Sequence, residues 1–292
     1  MKNLSLTEKY RPRTLAQIRG NEMIVRMLKS FVKNPCSKAF LLSGPAGTGK
    51  TSAAFAIAGE LGCDLTVKPR ECGGLFEIAS GELTADTVRE MFKTTLAYRP
   101  FYGSGQKVLI CNEADNMSNQ AEFVFLDILE NLPPQTVVVF TTNNPEKLSD
   151  RFRQRCECHA FKTAVRAHGE SASPAELAAQ KLIDEVWQTE LGHNHSPSLD
   201  ELDFWKTGGH VSFRGVLAAL EPMIRAQRDL DAEELAATRA ALPAVETMRG
   251  EALASAAPVA RMSAAEIMRK IQTAVAGGDY ATAKQLETML QS

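Results

Sequence analysis

One octapeptide constrains this chain more than any other feature. Gly44-Pro45-Ala46-Gly47-Thr48-Gly49-Lys50-Thr51 fits the pattern GxxxxGK[ST], follows the apolar run Phe40-Leu41-Leu42, and opens a helical pattern from Ser52 to Leu61. Strand, glycine-rich turn and helix in that order make a cradle for phosphate. The glycines let backbone N–H groups converge on the anion, and the helix N-terminus adds its positive dipole end. Gly44, Pro45, Ala46, Gly47, Thr48 and Gly49 are therefore candidate nucleotide ligands. Lys50 is placed to reach the β- and γ-phosphates of ATP, and Thr51 to offer its hydroxyl to Mg²⁺.

The surrounding pattern is that of an α/β fold. Ala39-Phe40-Leu41-Leu42, Lys107-Val108-Leu109-Ile110-Cys111 and Thr136-Val137-Val138-Val139-Phe140 are short and almost wholly apolar. Strands buried on both faces of a parallel sheet read that way. Helical patterns over 52–61, 86–96 and 120–129 lie between them, giving βαβ units across residues 1–160. From 161 to 229 the signals turn helical: one helix from Pro174 to Leu191, then two segments near 198–206 and 212–228. Residues 230–292 are alanine-rich, with a linker expected near 243–262. Their end reads as a helical hairpin, Ser263 to Ala276 and Tyr280 to Leu290 around Gly277-Gly278-Asp279.

The second apolar run leads into Asn112-Glu113-Ala114-Asp115. Beside a phosphate cradle, a strand end of this kind carries a metal-contacting Asp and often a Glu that polarises the attacking water. Glu113 fits the second role. Asn112 stands where the Asp is expected; its amide oxygen can accept a hydrogen bond but brings no negative charge. Weakened Mg²⁺ retention and slow turnover follow, without loss of nucleotide binding.

Composition sets outer bounds. The net charge of −2 excludes a globally basic nucleic-acid coat but not a local basic surface. Residues 1–40 carry nine Lys or Arg against Glu8 and Glu22, whereas from 229 on six basic residues face nine acidic ones. No run of about 18 apolar residues suggests a membrane span, and the N-terminal stretch lacks the apolar segment of a secretory signal. The six cysteines contain no CxxC pair, so they read as buried apolar thiols in a reducing compartment.

Several segments together resemble one family. Thr7-Glu8-Lys9-Tyr10-Arg11-Pro12-Arg13-Thr14-Leu15 followed by Gly20-Asn21-Glu22 is similar to the N-terminal signature of clamp-loader AAA+ ATPases. These are the small subunits of replication factor C and the gamma/tau-type subunits of bacterial DNA polymerase III. Asn112-Glu113-Ala114-Asp115 resembles their DEAD-like box, and Thr141-Thr142-Asn143-Asn144 their sensor 1, with Asn143 as its residue. Gln154-Arg155-Cys156 is similar to the element that supplies an arginine finger to a neighbouring subunit's ATP. Ser212-Phe213-Arg214 resembles sensor 2, with Arg214 as its candidate. The match is good over about 5–160 and loose over 161–228.

The resemblance implies a P-loop AAA+ parallel-sheet domain over 1–160, a helical lid over 161–229 and a short helical C-terminal region over 230–292. It implies an ATP hydrolase with ATP and Mg²⁺ as ligands, and Tyr10, Arg11 and Pro12 at the adenine end of the pocket. It also implies a sliding clamp, other loader subunits in a ring or spiral, and primed DNA as partners. It further implies a cytoplasmic setting at the replication fork, or a nuclear one in a eukaryote. Three departures stand against it. Asn112 is one; Glu122 and Asp127 are the second, because they would repel phosphate on a helix where the family carries paired arginines. The third is the C-terminal region, shorter than a loader's collar. A nucleotide-binding structural or regulatory subunit with weak hydrolysis, and another AAA+ remodeller such as a helicase loader or branch-migration motor, are the alternatives.

Overall fold

The computed structural model describes residues 4–65, 74–98, 104–166, 171–192, 195–233, 264–276, 282 and 284. Its centre is a five-stranded, wholly parallel sheet in the order β2-β3-β4-β1-β5. The strands are β1 (Lys38–Ser43), β2 (Leu75–Ile78), β3 (Lys107–Cys111), β4 (Thr136–Thr142) and β5 (Glu157–Ala160). The three wholly apolar runs are the three central strands, as double-sided burial requires. Successive residues feed opposite cores: Phe40, Leu42, Val108, Ile110, Val137 and Val139 on one side, Leu41, Leu109, Cys111, Val138 and Phe140 on the other.

The first side is covered by α2 (Glu22–Lys33) and α3 (Lys50–Glu60). The sequence reading assigns no helix at α2, although Ile24, Val25, Leu28, Phe31 and Val32 recur at helical spacing and pack on this core. The other side is covered by α4 (Ala85–Glu90), which runs on through a π-helical turn over Met91–Thr95, by α5 (Asn119–Glu130) and by α6 (Asp150–Gln154). Phe125, Phe140 and Phe152 interlock there edge-to-face, with centroids 4.9 Å apart for Phe125–Phe140 and for Phe140–Phe152.

A third core, separate from both, gathers α7 (Pro174–Leu191) and a helix α8 beginning at 213 around Val186, Trp187, Trp205 and Leu220. Ser173 and Glu176 close a capping box on α7, with Pro174 in its first turn and Gly192 left-handed at its end. The helix expected near 198–206 is absent. A 3₁₀ turn over Leu199–Glu201 and a two-stranded antiparallel hairpin, β6 (Lys206–Thr207) and β7 (His210–Val211), replace it. Leu199, Leu202 and Trp205 are buried at a strict spacing of three, which suits tight turns better than an α-helix. The N-terminal helix α1 (Leu6–Lys9) joins the same core through Leu6.

The chain divides into two compact units, Met1–Gln227 and Arg228–Ser292. In the second unit α9 (Ala264–Ala276) matches the first arm of the expected hairpin. The second arm, apart from Thr282 and Lys284, and the expected linker near 243–262 lie outside the described residues. Among the described residues no helix is long and apolar enough to cross a membrane. Of the described cysteines, Cys63 and Cys111 are buried and Cys156 partly so, but Cys36 and Cys158 are exposed, so uniform burial of the thiols is corrected. Cys158 lies on edge strand β5, where alternate side chains face outward.

Candidate nucleotide-binding site

The site is built where β1 ends and α3 begins. Gly44 and Gly47 both have positive φ, 137° and 79°. A Cβ on Gly44 would lie 2.5 Å from the Phe161 carbonyl oxygen, and one on Gly47 would lie 2.1 Å from Ser212 Oγ. Only glycine admits this loop. Ser212 precedes helix α8 and accepts from the Gly215 amide, while the Phe213 amide donates to the Gly47 carbonyl at 3.1 Å. The loop is thereby tied to the start of α8, and Arg214 is brought to the cleft beside it.

Lys50 lies beneath this loop, 7% exposed. Its Nζ donates to the carbonyl oxygens of Gly44 and Pro45 at 2.7 and 2.8 Å, and to Asn143 Oδ1 at 2.8 Å. All three acceptors are neutral. Burial, and after it the nearby Arg214 guanidinium, pull the ammonium down to about 8, with Asp115 opposing them. A buried cation bonded to neutral oxygens calls for an external anion.

A cleft of about 750 Å³ opens above Lys50, a size usual for small-molecule sites. Tyr10, Arg11 and Pro12 line one end; Glu113, Asn143 and Arg214 line it with Ala46, Gly47, Thr48, Gly49, Lys50 and Thr51. Gly44 and Pro45 contribute through their carbonyls below. Tyr10 is fixed by its hydroxyl, which donates to Glu190 Oε1 at 2.8 Å, and the Arg11 guanidinium sits 5.3 Å from the Phe55 ring centre.

Asn112 and Glu113 directly follow β3. Glu113 adopts φ 51°, a left-handed backbone uncommon outside glycine. Its amide donates to Thr141 Oγ1 at 3.3 Å, and its carboxylate accepts from Asn116 Nδ2 at 3.3 Å. Asn112 Oδ1 accepts from Thr141 Oγ1 at 3.2 Å and from Thr51 Oγ1 at 3.5 Å. The pair expected to hold Mg²⁺ is therefore side by side. Thr51 and Asn112 are oxygen donors suited to a hard cation, though without charge of their own. Asp115 orders the neighbouring strand end: it accepts from Thr142 Oγ1 at 2.8 Å and Asn144 Nδ2 at 3.0 Å. Burial opposes ionisation of Asp115, yet those hydrogen bonds and nearby Lys147 hold its carboxyl below the usual carboxylate range.

Arg155 stands apart. It does not line the cleft of its own chain but pairs with Glu130 at the end of α5. At the other end of α5, the Glu122 carboxylate accepts from the Ser149 amide at 3.0 Å and from its hydroxyl, anchoring the start of α6. Glu122 and Glu130 thus hold the two ends of the segment bearing Arg151, Arg153 and Arg155. Sequence reasoning missed Glu77 on β2, whose Oε1 accepts from Asn112 Nδ2 at 2.6 Å. Its only signal was one acidic residue within Leu75-Phe76-Glu77-Ile78.

The lowered ammonium yields a prediction with a definite sign. A bound polyphosphate favours the charged lysine, so affinity must fall as pH rises through about 8. The slope approaches about tenfold per pH unit. The free fold gains stability between about 8 and the ordinary 10.5, because the unfolded chain there holds a proton the folded chain has released. Metal-free ADP binding and thermal melts on either side of pH 8 check both signs.

Residues 40–164 match the family "ATPase family associated with various cellular activities (AAA)". A replication factor C small subunit of Picrophilus torridus is 34% identical over 157 residues, 53% of this chain and 48% of that protein. One from Halobacterium salinarum is 29% identical over 275 residues, 93% of this chain and 79% of that protein. Among solved structures, a DNA polymerase III gamma subunit-related protein of Thermotoga maritima overlaps 56% of this chain and 51% of its own at a TM-score of 0.42 and 18% identity. The chain spans about half the length of the Picrophilus relative. Residues 40–164 thus carry the AAA match on a parallel sheet with a phosphate cradle, and the chain is similar in sequence to small subunits of replication factor C.

Proposed function

We propose that this chain is an ATPase subunit of a sliding-clamp loader, coupling ATP binding and hydrolysis to opening of the clamp and its loading on primed DNA. One observation carries the nucleotide part of the reading. Lys50 is a buried cation bonded to three neutral oxygens at the floor of a cleft, an arrangement that a polyphosphate completes. The clamp-loader part draws on the replication factor C relatives, and implies a ring or spiral of subunits at a replication fork, nuclear if the cell is a eukaryote.

The chemistry asked of the residues is modest in kind. Charge grows on the γ-phosphate oxygens during transfer, and fixed positive donors lower its energy. Lys50 and Arg214 supply two from the same chain. Thr51 and Asn112 are the residues that would hold Mg²⁺, which when bound neutralises charge on the β- and γ-oxygens. Glu113 accepts the proton of the attacking water, and Asn143, already oriented by Lys50, helps hold that water in line. Arg155 serves a neighbour's site, so an isolated chain turns over slowly.

A second reading has a specific observation in its favour. Asn112 leaves the strand end without its own negative charge, which suits a subunit that binds ATP and scarcely hydrolyses it. The test is ATPase activity with and without primed DNA and the sliding clamp of the same organism. Stimulation by both supports the loader. Tight binding without turnover supports the regulatory subunit, and stimulation by DNA alone overturns the loader in favour of another AAA+ remodeller. Glu122, already engaged by Ser149, and Asp127 make direct DNA contact by α5 the least expected part of such stimulation.

A further inference from the structure

The carboxylate missing at the end of β3 is present one strand away. β2 pairs with β3 in parallel, with Glu77 opposite Ile110 and Ile78 opposite Cys111, so the two strand ends lie side by side. Glu77 is half-buried, and its Oε1 accepts from Asn112 Nδ2 at 2.6 Å. A hydrogen bond to an ionised acceptor is stronger than a neutral one. Its consequence for Asn112 is orientational. Were the amide turned over, its oxygen would face a carboxylate oxygen at 2.6 Å, two acceptors with no proton between them. Glu77 therefore dictates that Oδ1 points toward the cradle.

There Oδ1 accepts the hydroxyl protons of Thr51 and Thr141, at 3.5 and 3.2 Å. A threonine hydroxyl that gives its proton to Asn112 turns its lone pairs the other way, out to the phosphate side where a cation would sit. We propose that Glu77 is a positioning residue for Mg²⁺: it locks Asn112, through Asn112 it orients Thr51, and it returns a negative charge to the site one hydrogen bond removed. Glu77 touches neither nucleotide nor metal. The proposal rests on the ATPase reading above.

The test is binding of ATPγS by the full chain, measured without metal and across a Mg²⁺ titration. Glu77→Gln keeps a hydrogen-bond acceptor for Asn112 but removes the charge. It is expected to raise the Mg²⁺ concentration needed by about 10–100-fold, the cost usual for partners behind a metal ligand, with metal-free ATPγS affinity and melting temperature unchanged. Asn112→Asp alone sets two carboxylates against each other and lowers the melting temperature. The exchange Glu77→Gln/Asn112→Asp reverses the donor and moves the charge to position 112, restoring the Mg²⁺ requirement to wild type within about threefold, within the scatter of such shifts. An unchanged Mg²⁺ requirement in Glu77→Gln, or a double variant no better than Glu77→Gln, overturns the proposal. So does loss of metal-free binding in parallel with Mg²⁺ response, which marks Glu77 as merely structural. Wild-type chain that binds ATPγS with no gain from Mg²⁺ overturns this proposal alone. Wild-type chain that binds no ATPγS overturns the ATPase reading with it.

Discussion

Lys50→Ala is expected to abolish nucleotide binding or, at the least, turnover. The side chain removed donates at once to the Gly44 and Pro45 carbonyls and to Asn143. Its loss takes away the charge at the phosphate position and the group that orients Asn143. Truncating one partner of a desolvated charge contact costs about 2–5 kcal/mol, on the order of 10²-fold or more in affinity. The loss in turnover is larger still, because charge on the phosphate grows in the transition state. Stability should move the other way or not at all. Burial holds the ammonium down at about 8, so at pH 7 the fold bears a cost for keeping it charged, and alanine relieves that cost. The paired measurements are ADP or ATP binding and a thermal melt. Loss of binding with an undiminished melting temperature is the expected result. Retained ATPase would point to a contaminating enzyme or a misread cradle.

The second large effect is assigned to Arg155. In the assembled state Arg155→Ala is expected to lower kcat by about 10³–10⁵-fold, the range associated with an arginine supplied to a phosphoryl-transfer site. ATP binding by the variant chain itself should stay within a factor of about two or three, as for a surface substitution. In its own chain Arg155 lies outside the cleft, paired with Glu130. Mixing separates its role from a folding defect. Lys50→Ala chains have a defective cleft but an intact Arg155, and Arg155→Ala chains have the reverse. Neither homogeneous preparation should turn over, whereas the mixture should recover activity at interfaces that join one of each. Failure of the mixture to recover, with both variants folded and assembled, removes Arg155 from the reaction.

The two arginines also show how far linear reading reaches. Arg214 is singled out by Gly208-Gly209 and Ser212-Phe213-Arg214, whereas its place at the cleft involves a contact made across the fold, from the Phe213 amide to the Gly47 carbonyl. The helix expected near 198–206 fails because apolar residues at 199, 202 and 205 do not distinguish a broken turn from a helix over so short a stretch. Strands β2 and β5 escape notice for a related reason. Leu75-Phe76-Glu77-Ile78 is only four residues long with a carboxylate inside it, and Glu157-Cys158-His159-Ala160 lies at the sheet edge, where burial lapses on alternate residues.

Contiguous residues account for whatever the backbone does locally. The three central strands needed only unbroken apolar runs. The cradle needed only glycines free to take positive φ, followed by a helix start. What each charged group in the site faces depends instead on contacts across the fold. Lys50 meets Asn143 across 93 residues, and Asn112 meets Glu77 across 35. A parallel sheet ends all its strands on one edge, so side chains distant along the chain converge there in an order set by strand topology and register. That order placed the Glu77 carboxylate behind Asn112, where the octapeptide and the apolar run leading into Asn112, read along the chain, gave no sign of one.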